Sequence, residues 1–267
     1  MFVLGATAVA IGVVAGCGID DVGSFVAGAD AGPDVRPVLP PGTDGSTITD
    51  AGTDAADANV QLPLACADSL CASRGGHCED GGNACVIDCG DAGSCDGGAT
   101  CPPGVPCKVE CTTNKTCPLV DCSAATRCAI TCAGDDTCGT VTCAGSSCNV
   151  ACMGNDSCSD GGVTCAASGS CGIDCAGGGK TCAGPVKCTS ASCRVECAKA
   201  QSCLGGVTTY GADAQVFCDV KDSCLGGATC LGGTACTLAC TGSSCAATPF
   251  CCDAGSCYVD AGTNACP

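Results

Sequence analysis

Aromatic and cationic residues are scarce in this chain. Its 267 residues include no Trp, two Tyr and four Phe, and ten Lys and Arg stand against 27 Asp and Glu. Without aromatics the largest core side chains are missing, and an apolar fraction inflated by Ala and Cys cannot build an ordinary globular interior. The formal charge of -17 disfavours nucleic acid and anionic lipid as partners, because a carboxylate-rich surface repels phosphate. The one His, His77, lies in the stretch SRGGHCED and reads as a solvated residue. With no Lys or Arg cluster beside it, no acid-base or nucleophilic constellation can be assembled. No Cys stands at C-x-C or C-x2-C spacing, which is how zinc and cluster ligands are brought together. These absences point to a protein that is not an enzyme and carries no cofactor.

What the chain has is cysteine, 37 in all. Such a density marks a disulfide scaffold in an oxidising compartment and is hard to reconcile with a reducing cytosol. The organising motif is five residues long: CVIDC (85–89), CKVEC (107–111), CAITC (128–132), CNVAC (148–152), CGIDC (171–175), CRVEC (193–197) and CTLAC (236–240). Apolar first, third and fifth positions give the period-two pattern of a strand with one buried face. Copies return every 20 to 23 residues, a fixed period that implies one solenoid turn per copy.

From Leu62 to the last residue every coil fits one register of four Cys columns. Two residues before the first column run Leu64, Ile87, Val109, Ile130, Val150, Ile173, Val195, Val216 and Leu238, with Val259 beginning another coil. A second ladder precedes the third column: Ala99, Val120, Val141, Val163, Val186, Val207 and Ala228, with Gly76 departing in the first coil. Gly, Asp, Asn and Ser fill the corners as turn chemistry requires. The expectation is an all-β fold, a parallel β-helix (β-solenoid) of nine to ten coils over residues 62–267. At about 4.8 Å per coil it makes a rod roughly 45 Å long.

Disulfides cannot lie within one rung, because four extended residues span roughly 13 Å and bridged Cα atoms sit about 4.4–6.8 Å apart. In one coil the third and fourth columns read Thr209 and Ala214. Their joint loss makes those columns partners: Cys78 with Cys85, Cys101 with Cys107, Cys122 with Cys128, Cys143 with Cys148, Cys165 with Cys171, Cys188 with Cys193, and Cys230 with Cys236. The first and second columns then pair Cys66 with Cys71, Cys89 with Cys95, Cys111 with Cys117, Cys132 with Cys138, Cys152 with Cys158, Cys175 with Cys182, Cys197 with Cys203, Cys218 with Cys224, and Cys240 with Cys245. One of Cys251 and Cys252 bonds Cys257 and the other Cys266. Vertical bonding along a column would strand one Cys in a first column of nine. Each closed loop of about six residues is worth roughly 2 kcal/mol in the chain-entropy model.

Residues 1–16 are apolar and uncharged, shorter than a membrane span, and end in small residues before an isolated Cys. The stretch Val14-Ala15-Gly16-Cys17 resembles the lipobox of bacterial lipoproteins, with Val14 where Leu is usual. The resemblance implies a signal peptide over 1–16, cleavage before Cys17, and a lipid on Cys17 that anchors the chain to the envelope of a Gram-negative bacterium, with the outer membrane or cell surface favoured. Residues 18–60 lack Cys and carry eight Asp against Arg36. Residues 17–61 are therefore expected to be a disordered acidic tether with a reach of roughly 35–40 Å, carrying at Cys17 the lipid that the resemblance implies.

Function is expected to be non-catalytic: a structural or adhesion module that meets a cell-surface or extracellular partner. Tyr210 and Phe217, in the coil that lacks a disulfide, are a candidate contact site. A second reading rests on outward hydroxyl columns. One runs Ser94, Thr116, Thr137, Ser157, Thr181, Ser202, Ser223 and Ser244, and another includes Thr100, Thr142, Thr164, Thr208 and Thr229. In architecture this resembles the disulfide-filled β-helical antifreeze proteins of insects and implies ice or crystal-surface binding. Hydroxyls bonding their own turns are the simpler account. A third reading is metal binding by free thiolates, which the alternation of Cys with aliphatics disfavours.

Overall fold

The computed structural model describes residues 66–79, 82–91, 93–241, 250–253 and 255–259. The chain divides into two units, Met1–Asp57 and Ala58–Pro267, and every described residue belongs to the second. Cys17, the tether, Leu64, Ser244, Cys245 and Cys266 lie outside the described residues, as do the side chains of Cys251 and Val259.

The elements in order are α1 (Asp68–Ala72), β1 (His77–Cys78), β2 (Cys85–Asp88), β3 (Ala99–Thr100), β4 (Cys107–Cys111), β5 (Leu119–Cys122), β6 (Arg127–Cys132), β7 (Thr140–Cys152), β8 (Gly162–Asp174), β9 (Val186–Thr189), β10 (Ser192–Cys197), β11 (Val207–Tyr210), β12 (Asp213–Cys218), β13 (Ala228–Leu231), β14 (Ala235–Cys240), β15 (Phe250–Asp253) and β16 (Cys257–Val259). Two parallel ladders run up the solenoid. The first passes through β2, β4, β6, β7, β8, β10, β12, β14 and β16, and the second through β3, β5, β7, β8, β9, β11, β13 and β15. β7 and β8 are 13 residues long and serve both, since the chain there stays in strand conformation through the corner. None of the described helices is long and apolar enough to cross a membrane.

The expected register holds. Val109 pairs with Ile87 and Ile130, Val195 with Ile173 and Val216, and Val216 with Leu238. Each of these side chains is buried, as are Val120, Val141, Val163, Val186 and Val207 in the second ladder. A buried Val or Ile stabilises by about 1.5–3 kcal/mol, so the aliphatic ladders form a narrow core. The half-cystines pack around it.

Among the described residues the solenoid has about eight turns. The expected pairing of the first four Cys is corrected at the N-terminal end. Residues 66–79 and 82–84 form a cap, in which β1 pairs antiparallel with β2 and α1 replaces a corner. With no corner there, the first four Cys cross over: Cys66 bonds Cys78 and Cys71 bonds Cys85, instead of Cys66–Cys71 and Cys78–Cys85. The helix turns Cys71 into the core. Gly76 leaves room for this packing, since a Cβ there would meet Val86 O at 2.5 Å and Cys71 Sγ at 2.8 Å.

From Cys89 to Cys236 the disulfides join first with second and third with fourth columns, across corners of the same coil. Cys252 takes Cys257. Cys240 is bonded, and the pairing of Cys251 with Cys266 lies outside the described residues.

The corner ahead of the second Cys column has a regular and costly backbone. In successive coils Lys115 and Cys117, Asp136 and Cys138, Asp156 and Cys158, Lys180 and Cys182, Gln201 and Cys203, and Asp222 and Cys224 all have φ between 50° and 65°. Each left-handed residue other than Gly costs roughly 1–2 kcal/mol. The residue between each pair offsets that cost, because its hydroxyl donates to the carbonyl three residues back. Thr137 donates to Gly134 at 2.7 Å, Ser157 to Gly154 at 2.8 Å, and Ser223 to Val220 at 2.7 Å. Neighbouring corners then bond to one another, as Cys158 N does to Thr137 O at 2.9 Å. Close stacking there admits only Gly at 154, where any Cβ would fall on the Gly134 carbonyl.

Candidate functional site: the outer groove

Outward positions of the first ladder alternate with the buried ones and line up between coils. The central row reads Lys108, Ala129, Asn149, Gly172 and Arg194. Long side chains at the two ends and small ones between leave a groove of about 680 Å³ along the solenoid axis. Its N-terminal end meets Glu79 and Asn83 of the cap, and the row beside the floor supplies Arg127, Ser147, Ser170 and Ser192. The disulfide corner at Cys107, Cys128, Cys148 and Cys171 makes its apolar wall.

Lys108 Nζ lies 2.9 Å from Glu110 and Arg194 3.1 Å from Glu196, both within their own rungs. The Glu110 contact raises the Lys108 ammonium above its usual range. Arg194 also lies over the Phe217 ring at 4.4 Å. Beyond it Asp174 is pushed up by burial first and then by Glu196, opposed by the Ala176 N–H and Arg194. One of its buried carboxylate oxygens has no hydrogen-bond partner. Asp219 is raised by the same two causes, with burial the larger.

The structure separates the two candidate contact residues. Phe217 is half-buried in β12 on the first ladder, between Glu196 and Ala239. Tyr210 ends β11 on the second, 39% exposed, with Lys187 Nζ 5.5 Å from its ring centre. Each aromatic holds a cation from a neighbouring coil. His77 is exposed in β1.

The hydroxyl columns are corrected in part. Thr116, Thr137, Ser157, Thr181, Ser202 and Ser223 point inward and are buried, so they present nothing to ice; Ser94 is exposed. The second column does face out, but Asp121 and Lys187 interrupt it between Thr100 and Thr208. The thiolate reading is also corrected. Cysteine triads such as Cys89, Cys111 and Cys117 bring sulfur atoms within 4.8 Å, yet each is already bonded in a disulfide and has no thiolate to offer a metal.

Sequence reasoning missed the groove because its residues are ordinary and its shape comes from their order along the axis. The signal was present in the aligned rungs, where the central outward residue shrinks from Lys108 to Ala129 and Gly172 and lengthens again at Arg194. No protein-family model matches this chain, and no curated protein and no solved structure matches it.

Proposed function

We propose that this protein is a non-catalytic lipoprotein of a Gram-negative cell envelope, held at the outer membrane or surface by a lipid on Cys17. Its solenoid serves as a disulfide-stabilised structural and interaction module with adhesion to a surface or extracellular partner as its role. The observation that carries the reading is a disulfide at nearly every described corner from Cys89 to Cys257. Such a framework persists in an oxidising compartment and holds the backbone closed against proteases.

Two measurements test it on protein extracted from membranes. Intact mass is expected to show acyl chains on Cys17 and no alkylation before reduction; an unmodified Cys17 refutes the anchor. Digestion with a broad-specificity protease is expected to remove the tether and spare the solenoid until reductant is added. Equal digestion with and without reductant refutes the structural role.

A further inference from the structure

The geometry points to the outer groove as a binding site for a linear glycan that carries carboxylates. This rests on the interaction-module reading and names its ligand. Three of the ten Lys and Arg line this one groove, Lys108, Arg127 and Arg194; Glu79 shares the lining, and Lys108 and Arg194 are already paired with Glu110 and Glu196. Arg127 is exposed, and among the described residues no carboxylate lies within ion-pair distance of it. A carboxylate on the ligand is therefore the complement that Arg127 lacks.

The repeat of the groove chooses between chains that carry carboxylates. Strands β4, β6, β7, β8 and β10 cross the floor at about 4.8 Å intervals, giving a length of about 19 Å. The hydroxyls of Ser147, Ser170 and Ser192 recur once per coil. A pyranose ring repeats on nearly that interval, so successive sugars meet equivalent partners. An extended peptide advances about 3.3 Å per residue, so no residue of it returns at the interval of a single coil. The low floor at Ala129 and the disulfide wall suit the apolar faces of the rings, and the Asn149 amide beside Gly172 offers a polar contact to their hydroxyls.

The test is titration calorimetry on the full-length protein with hexagalacturonate, and with maltohexaose and hexa-aspartate as probes of length and charge alone. Hexagalacturonate is expected to bind, more weakly as salt rises, and the other two not to bind. Arg127→Gln is expected to lower affinity about two- to fivefold, the range of an exposed charge contact. Ala129→Leu, which points outward and leaves the core intact, is expected to abolish binding. Failure of hexagalacturonate to bind, equal binding of either control, or undiminished binding by Ala129→Leu overturns the assignment. If glycan binding fails while protease resistance still depends on the disulfides, the groove is removed and the structural module stands.

Discussion

Restoring the disulfide at Thr209 and Ala214 is the sharpest test of the coil register. Thr209 pairs with Cys188 below and Cys230 above, and Ala214 with Cys193 below and Cys236 above. The flanking bridges have Cα–Cα distances of 6.0 Å and 6.3 Å, and Cys188–Cys193 spans the same five-residue separation as the vacant pair. Both side chains are buried, and the Thr209 hydroxyl has no partner. The double variant Thr209→Cys, Ala214→Cys is therefore expected to close a bond without moving the backbone. Residues 204–217 form the longest run without Cys after Cys66, so no existing cross-link already constrains that loop. Chain entropy then contributes about 2 kcal/mol, and removing the orphaned hydroxyl adds roughly 1 kcal/mol. Thr209→Val isolates the second contribution. Two kcal/mol corresponds to about 30-fold, so native-state amide exchange in β11 and β12 should slow by about that factor relative to Thr209→Val. Free thiols in the unreduced double variant, or exchange slowed less than about threefold, would show that the two sites are not equivalent to their neighbours.

Two further outcomes follow from the corners and the rim of the groove. Thr137→Val keeps the shape but removes the bond to Gly134 O; it is expected to lower stability by about 1 kcal/mol, read as faster exchange at Cys138 and Cys158, and unchanged exchange would assign the corner's stability to the disulfides alone. For Asp174, whose carboxyl is raised in the fold, the folded state binds more protons than the unfolded state just above the ordinary carboxylate range, so stability falls as pH rises through that window. Asp174→Asn is expected to flatten that part of the stability curve and to stabilise the solenoid at neutral pH, and an unaltered pH profile would refute the assignment.

The sequence by itself determined the solenoid and most of its staples. The five-residue rung pairs an apolar period of two with a return of 20 to 23 residues, and parallel stacking is the arrangement that buries Ile87, Val109 and Ile130 on one line. The joint loss at Thr209 and Ala214 identified which columns are partners, because a lone half-cystine would have no mate. Tertiary structure decided what depends on neighbours in the next coil. The swap to Cys66–Cys78 and Cys71–Cys85 follows from α1 and the antiparallel β1, which takes the place beside β2 that a parallel rung would fill. The inward turn of Thr137 and Ser157 follows from left-handed residues on either side of each, a backbone state that only stacked corners sustain. The groove exists because Ala129, Asn149 and Gly172 fall between Lys108 and Arg194 along the axis, and adjacency along that axis is a property of the fold rather than of the chain.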